Sequence, residues 1–287
     1  MFNDLLRALS GPDAIAMTQD CPWLAARSSS RAFILATLNI LLSLTGCGPT
    51  TIFQSSFDSN AIGSPPSTSQ ATGTVKIFGS PNVVIISAPP NATGKDHWAQ
   101  ISTDSSLFCN FSQPLLQNGT YSLTALLLIP SSLGASGTVE FDAFPPAAGA
   151  AAATPILSLD FEAVTPSSGG LAVNTVMAND NQELQNLKFP YSKPFTVSVI
   201  LSVNFVNSFN FSSQGVWSAN ATVTLFGANG QASGSQQVTN LTFPPLLNAS
   251  GEAQFYSSFP GQTLDVTDII VTRKSNGTGP FPPTNQP

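Results

Sequence analysis

The sequence predicts an all-β fold in which two antiparallel sheets pack face to face as a sandwich. About a dozen short segments either alternate apolar and polar residues or run apolar without interruption. Glycine, proline, asparagine and aspartate separate these segments at a spacing of about 8–15 residues, which is typical of strands joined by turns. No sustained 3.6-residue periodicity is present, so we expect little helix beyond a signal helix near the N-terminus.

The composition limits the classes of function. Charged residues make up 8% of the chain, whereas 42% of the residues are hydrophobic and 20 are phenylalanine. A core can therefore form, because disordered chains usually combine low hydrophobicity with high charge. The net charge is −6 and there is no basic patch, which argues against nucleic acid as a partner. The many hydroxyl and amide side chains fit an extracellular surface.

We divide the chain into four parts. Residues 1–46 are predicted to be an export signal, and residues 47–72, rich in serine, threonine, proline and glycine, a flexible tether. Residues 73–274 are predicted to be the β-sandwich domain, and residues 275–287 a disordered tail.

Within the domain the patterns predict one strand after another. The predicted strands are residues 74–79, 82–88, 97–103, 106–112, 121–130, 138–144, 156–164, 195–205, 219–228, 236–243, 252–258 and 264–273. The apolar run 121–130 follows the hairpin signal Asn118-Gly119 and stops at Pro130, so we predict a strand buried on both faces rather than a helix. We interpret residues 145–154, 168–194 and 207–219 as loops and residues 228–234 as a turn.

The run Phe33 to Cys47, FILATLNILLSLTGC, has the features of a secretory signal. It is uncharged, too short to span a bilayer, and preceded by the positive charges of Arg27 and Arg31. Met17 would give a signal of more usual length than Met1 does. An uncleaved signal or a transmembrane anchor is the alternative interpretation of this run.

The run ends in Leu44-Thr45-Gly46-Cys47, which resembles the lipobox of bacterial lipoproteins. The resemblance implies cleavage after Gly46 and lipidation of Cys47 with several acyl chains, including an amide-linked one such as palmitate, which is enough for stable membrane attachment. Gly48 rather than aspartate follows the cysteine, and by the same resemblance this favours the outer membrane or the cell surface.

The two ends of the domain resemble concanavalin/laminin-G-like jelly rolls. Residues 53–66, FQSSFDSNAIGSPP, match the opening of such domains, and Leu264 to Arg273 matches their closing strand. The resemblance implies that the first and last strands pair in the middle of a sheet. It also implies binding of a carbohydrate or another cell-surface polymer, a functional inference that rests on analogy of fold. A structural or assembly role without a ligand is the alternative.

Glu140-Phe141-Asp142 partly resembles the active-site strand of laminarinase-like glycoside hydrolases, in which alternating acids share one sheet face. A proline stands where the last glutamate of that motif would be, so we expect no enzyme activity. Glu140, Asp142, Asp160 and Glu162 are instead interpreted as solvent-facing residues of half-exposed strands.

The tryptophans are the other candidates for ligand binding. Trp98 lies in the alternating segment HWAQIS of a predicted strand, so core packing is its expected role, whereas Trp217 lies in a predicted polar connection and is the better candidate for stacking on a sugar. His97, adjacent to Trp98, is expected at the surface. Cys109 would be the one cysteine left after cleavage and lipidation, and we interpret it as a small buried hydrophobe.

Asn179-Asp180-Asn181 and Glu183 offer oxygen ligands for calcium but lack the spacing of a defined calcium loop. A solvated turn is the simpler interpretation, and we expect no metal and no cofactor.

Overall fold

The structure is a computed structural model. It describes residues 48–276, except for residues 80–82, 93, 116–117, 130–135, 145–153, 165–172, 180–181, 207–215, 244–249 and 258–261. The chain divides into two units, Met1–Pro49 and Thr50–Pro287, and the strands lie in the second. The predicted signal, Gly46, Cys47 and the predicted tail beyond residue 276 lie outside the described residues.

Fifteen strands are present in the described part of the chain. In order they are β1 (Thr50–Ser55), β2 (Thr74–Phe78), β3 (Val83–Ser87), β4 (His97–Ser102), β5 (Ser106–Asn110), β6 (Gly119–Leu128), β7 (Ser136–Phe144), β8 (Thr154–Val164), β9 (Val173–Ala178), β10 (Gln182–Glu183), β11 (Phe195–Val206), β12 (Val216–Phe226), β13 (Ala232–Phe243), β14 (Ser250–Tyr256) and β15 (Thr263–Ser275). The described residues contain no helix long and apolar enough to cross a membrane.

The strands form two antiparallel sheets, as predicted. The eight-stranded sheet has the order β13-β12-β11-β6-β15-β4-β3, with β1 also paired to β15. The seven-stranded sheet has the order β10-β9-β8-β7-β14-β5-β2. Strands far apart in the sequence are therefore neighbours in both sheets, and the all-β sandwich is confirmed.

Aromatic side chains from the two sheets meet in the core between them. Tyr121 on β6 and Phe141 on β7 have ring centroids 5.4 Å apart, and Phe195 on β11 and Phe161 on β8 have centroids 5.5 Å apart. These separations lie in the range that favours tilted and edge-to-face ring packing. One face of each sheet is thereby buried in the core between the sheets.

The first and last strands pair, as the jelly-roll resemblance implied. In the pairing of β1 with β15, Ser55 lies opposite Ile269 and Thr50 lies opposite Arg273. The earlier part of β15 pairs with β4 on the same side of β15. Between these two partners Asp268 has a φ of 50°, and its carboxylate lies 2.9 Å from Lys95 Nζ. The last strand is thus held on one side by two strands in succession.

The predicted tether is wrong from Thr50 onward. Ile52, Phe53 and Phe57 are almost completely buried, so residues 50–57 belong to the core of the domain. Composition misleads here because the many serines and threonines of this segment surround a few large apolar residues that are buried, and Ser55 is itself buried.

Three other boundaries also differ from the prediction. The predicted loop 168–194 contains β9 and β10, the predicted connection 207–219 already contains the start of β12, and β13 begins inside the predicted turn 228–234. In β9 Val176 and Ala178 are buried and Met177 between them is half-buried, but the run is too short to stand out in the sequence.

The strand predicted at residues 121–130 is observed as β6. In its first part, buried residues such as Tyr121 and Leu123 alternate with half-buried ones such as Ser122, so one face is buried. At the end of the apolar run the consecutive residues Leu127, Leu128 and Ile129 are all buried, so the predicted burial on both faces is observed only there.

Candidate functional site

The outer face of the seven-stranded sheet brings together polar and aromatic side chains from five strands. Residues paired across neighbouring strands point to the same side of a sheet. Two rows cross this face in register. The first is Lys76, Phe108, Gln254, Glu140 and Ser158, and the second is Phe78, Ser106, Tyr256, Thr138 and Asp160. The intervening residues, such as Leu107, Val139 and Phe255, are buried in the core.

Three carboxyl groups lie close together on this face. Glu140 and Asp142 are two residues apart on β7, and Glu252 on β14 lies directly opposite Asp142. Asp142 is 1% exposed and Glu252 3% exposed, whereas Glu140 is half-buried. Both carboxyl oxygens of Asp142 and Oε1 of Glu252 have no hydrogen-bond partner. Such groups are unusual, because buried polar atoms in proteins are nearly always hydrogen-bonded.

The surroundings disfavour ionisation of the two buried acids. Burial, followed by the negative charges of Glu140 and Glu252, raises the pKa of Asp142 to about 8. Burial also raises the pKa of Glu252 to about 7, against the opposing effect of Lys76 and with a further increase from Glu140. Near neutral pH this pair therefore holds protons that ordinary carboxyl groups would have lost.

Hydrogen bonds fix the neighbouring side chains. The Tyr256 hydroxyl donates to Glu140 Oε1 at 2.9 Å, and the Gln254 amide donates to Ser106 Oγ at 3.0 Å. Burial and the charge of Glu140 raise the pKa of Tyr256, so its phenol remains a donor. Glu140 is thereby positioned as the partly exposed member of the acid group.

Aromatic rings flank the acids on the same face. Phe78 is 69% exposed, the most exposed of the large hydrophobic side chains in the described part of the chain. Phe108 lies one row away on the neighbouring strand, and Tyr256 lies on the next strand beyond it. The exposed ring of Phe78 and the half-buried rings of Phe108 and Tyr256 lie next to fixed polar groups, so this surface is apolar in part and hydrogen-bonding in part.

The structure corrects the solvent-facing interpretation of the acids. Asp142 and Asp160 are buried, and Asp160 accepts a hydrogen bond of 2.6 Å from Thr138 Oγ1. Both acids lie on strands with neighbours on each side, and those neighbours restrict access from solvent. Glu140 and Glu162 are half-buried.

Sequence reasoning missed Glu252 as a site residue. The alternation Glu252-Ala253-Gln254-Phe255-Tyr256 could have placed three polar side chains on one face. The position of that face beside β7, however, is set by pairing between residues more than a hundred positions apart, which no local pattern reveals. Of the three acids only Glu140 is partly exposed.

The two tryptophans are not brought together with this face. Trp98 is fully buried and its Nε1 donates to the Lys95 carbonyl at 3.2 Å, so its ring packs inside the protein. The backbone of Trp217 lies in β12, opposite Phe205 and Phe243, in the other sheet. The Trp217 side chain lies outside the described part of the structure.

His97 lies apart from the acid group, on β4 of the other sheet. It is half-buried rather than fully at the surface, and its Nδ1 lies 3.9 Å from Asp58 Oδ1. Cys109 is free and fully buried, as predicted, and burial raises the pKa of its thiol.

The calcium hypothesis finds no support in the described residues. The Asn179 side-chain oxygen accepts a 2.8 Å hydrogen bond from the Ser158 backbone N–H, and Glu183 is exposed on β10. Asp180 and Asn181 lie outside the described residues. Within those described, no three or more histidine, cysteine or acidic side chains form a group that could hold a metal ion.

No protein-family model matches the chain, and no curated protein matches it in sequence. Among solved structures the chain is similar to a protein of unknown function from Shewanella oneidensis MR-1, with 14% identity, a TM-score of 0.47, and coverage of 89% of this chain and 99% of that one. It is also similar to the CBM2 module of the evolved Dit of Lactobacillus casei BL23 phage J-1, with 9% identity, a TM-score of 0.42, and coverage of 80% and 98%. Lectin II from Ulex europaeus has 10% identity, a TM-score of 0.37, and coverage of 69% and 97%. At such low identities and scores we base no argument on these likenesses.

Proposed function

We propose that the domain binds carbohydrate on the outer face of the seven-stranded sheet. The observation that carries the proposal is the strongly exposed ring of Phe78, one row from Phe108 on the neighbouring strand. Phe108 is in register with the polar residues Lys76, Gln254 and Glu140. The C–H face of a sugar can pack on such rings. Its hydroxyl groups can exchange hydrogen bonds with amides and carboxylates, and bonds to charged groups are the stronger ones.

The rows also give the face a length suited to more than one sugar unit. Phe108 and Glu140 are separated by one strand, β14, which corresponds to about 10 Å across the sheet. A saccharide stacked on Phe108 would therefore reach Glu140 by passing over Gln254. We infer a chain of sugars rather than a single small molecule as the ligand.

The test is a glycan array probed with a purified fragment of residues 48–287 and with two variants of it. We expect Phe78→Ala to lose at least ten-fold in affinity for whichever glycan the unmodified fragment binds. Ile62→Ala, which removes another exposed apolar side chain outside the strands, serves as the matched control and should bind normally. Absence of binding to every glycan would overturn the proposal and favour a structural or assembly role.

We further propose that the protein is a cell-envelope lipoprotein anchored through Cys47, in the outer membrane or at the cell surface of a bacterium. The support is the sequence Leu44-Thr45-Gly46-Cys47 at the end of an uncharged run. The folded domain begins at Thr50, so only a very short segment would separate it from the lipid. The sheet faces would then be presented close to the membrane surface, within reach of envelope polymers.

A further inference from the structure

The acid group on the outer face of the seven-stranded sheet has unsatisfied bonding capacity. Asp142 and Glu252 are directly opposed on neighbouring strands, a relation that puts their Cβ atoms about 4.5–5.5 Å apart. Three of their four carboxyl oxygens are buried without a hydrogen-bond partner. Glu140, one row away on the same face, adds a third carboxyl group to the pair.

Positive charge near the group is scarce. Lys76 on β2 is the cation whose charge acts on Glu252, and it is exposed. Among the described residues, the other titratable groups around the acids are Tyr256 on β14, Asp160 on β8 and, from the core side, Cys109 on β5. None of these three supplies a positive charge, so the group has an excess of acid over base.

We propose that this acid group selects a saccharide that carries a free, protonated amino group. The inference rests on the proposed function and names its ligand class. Glu140 is the residue that contacts the ammonium, because it is the partly exposed carboxylate and the Tyr256 hydroxyl holds it in place. Asp142 and Glu252 are buried and do not contact the ligand. They strengthen its binding because they add negative charge next to Glu140 when the ligand binds.

The added charge comes from proton loss. Before binding, Asp142 and Glu252 keep their protons because burial, and then repulsion by the negative charge of Glu140, disfavour their ionised forms, against the opposing charge of Lys76 at Glu252. A positive charge bound at Glu140 offsets that repulsion, so a carboxyl group releases its proton to the solvent. Binding of an amino sugar is therefore coupled to proton release, whereas binding of a neutral sugar is not.

Two other cationic ligands fit the observations less well. A metal ion requires several oxygen ligands at short distance, and no group of that kind occurs among the described residues. A simple polyamine would use the acids but leave the rings of Phe78 and Phe108 without a function. A sugar with an amino group uses both parts of the face.

The experiment compares a hexamer of β-1,4-linked glucosamine with the fully N-acetylated hexamer, by titration calorimetry with the full chain at pH 6. We expect the free-amine hexamer to bind at least ten-fold more tightly. For the free-amine hexamer, the apparent binding enthalpy should differ between two buffers of different ionisation enthalpy. The size of this difference gives the number of protons released on binding. The acetylated hexamer should show no such change.

Variants separate the roles of the acids. We expect Glu140→Gln, which keeps an acceptor for Tyr256, to reduce the preference for the free amine over the acetylated hexamer to less than two-fold. Asp142→Asn and Glu252→Gln should reduce proton release. Glu162→Gln, a half-buried acid on β8 outside the group, is the matched control and should leave the preference unchanged.

The affinities of the two hexamers distinguish failure of this inference from failure of the proposed function. Equal affinity for the two hexamers, or tighter binding of the acetylated one, would overturn the inference while leaving the proposed function in place. Spermidine binding as tightly as the glucosamine hexamer would overturn the choice of a sugar. If neither hexamer binds and no glycan on the array binds, the proposed function is overturned as well.

Discussion

Asp142 and Glu252 face each other across two neighbouring antiparallel strands, and both are almost completely buried. Two carboxyl groups in such a position cannot easily be ionised together, because each charge lies in a poorly solvated site beside another of the same sign. Glu140 lies on the same face and adds to the repulsion. The pair therefore affects the stability of the fold as well as the chemistry of its outer face.

We expect the domain to be more stable in mild acid than at slightly basic pH. Burial raises the pKa of Asp142 to about 8 and that of Glu252 to about 7, from ordinary values of 3.8 and 4.5. The folded state thus holds these protons more tightly than the unfolded state. The resulting stabilisation is complete below about pH 4 and is lost as the pH rises to about 8. Asp265, whose pKa burial raises to about 6, adds an effect of the same sign.

Thermal unfolding midpoints measured between pH 4 and pH 8 test this expectation. Asp142→Asn should flatten the decline and raise the midpoint at pH 8 by about 2–4 °C, which corresponds to roughly 1 kcal/mol in a domain of this size. Glu183→Gln removes an exposed acid and should leave the profile unchanged. A midpoint that is the same at pH 5 and pH 8 would show that the pair is not protonated as described.

Gly73 should tolerate alanine poorly. Its φ is +80°, and an added Cβ would lie 2.5 Å from the Asn110 carbonyl oxygen and 2.7 Å from Phe53 Cδ2. Gly63 has nearly the same φ of +82° but open space around it. Alanine is therefore strained in its backbone at both positions, but its Cβ clashes with neighbouring atoms only at position 73. We expect Gly73→Ala to cost at least about 1 kcal/mol more than Gly63→Ala in denaturant unfolding. Equal losses at the two sites would contradict this account.

The sequence predicted the sandwich because alternation within each strand is local information. Leu107 and Cys109, for example, alternate with half-buried neighbours in β5 as the pattern indicates. The acid group could not be predicted in the same way. Asp142 and Glu252 lie 110 positions apart, and only the order of strands across the sheet brings them together. Trp98 is fully buried, as expected, but it lies on the side of β4 opposite the core residues Ala99 and Ile101. The burial of Asp142 could not be predicted, because composition does not specify which strands lie beside β7.

Phe53→Ala tests whether residues 50–57 belong to the fold rather than to a tether. Phe53 is fully buried and lies opposite Val271 of the last strand, so its truncation should cost about 3–5 kcal/mol. Gln54 is the next residue along β1 and is exposed, so Gln54→Ala should change the stability by no more than about 0.5 kcal/mol. Denaturant unfolding of both variants gives the comparison. A free tether would instead make both substitutions neutral.

Cys47→Ser tests the proposed anchor. The segment Leu44-Thr45-Gly46-Cys47 resembles the lipobox of bacterial lipoproteins. In those proteins the cysteine thiol accepts the diacylglyceryl group, and serine has no thiol. We expect the variant expressed in a bacterial host to lose metabolic labelling with palmitate and to leave the membrane fraction, because stable attachment requires more than one acyl chain. Cys109→Ser is the matched control, since that thiol is buried in the core, and it should keep full labelling. Labelling that persists in Cys47→Ser would exclude this residue as the site of the lipid.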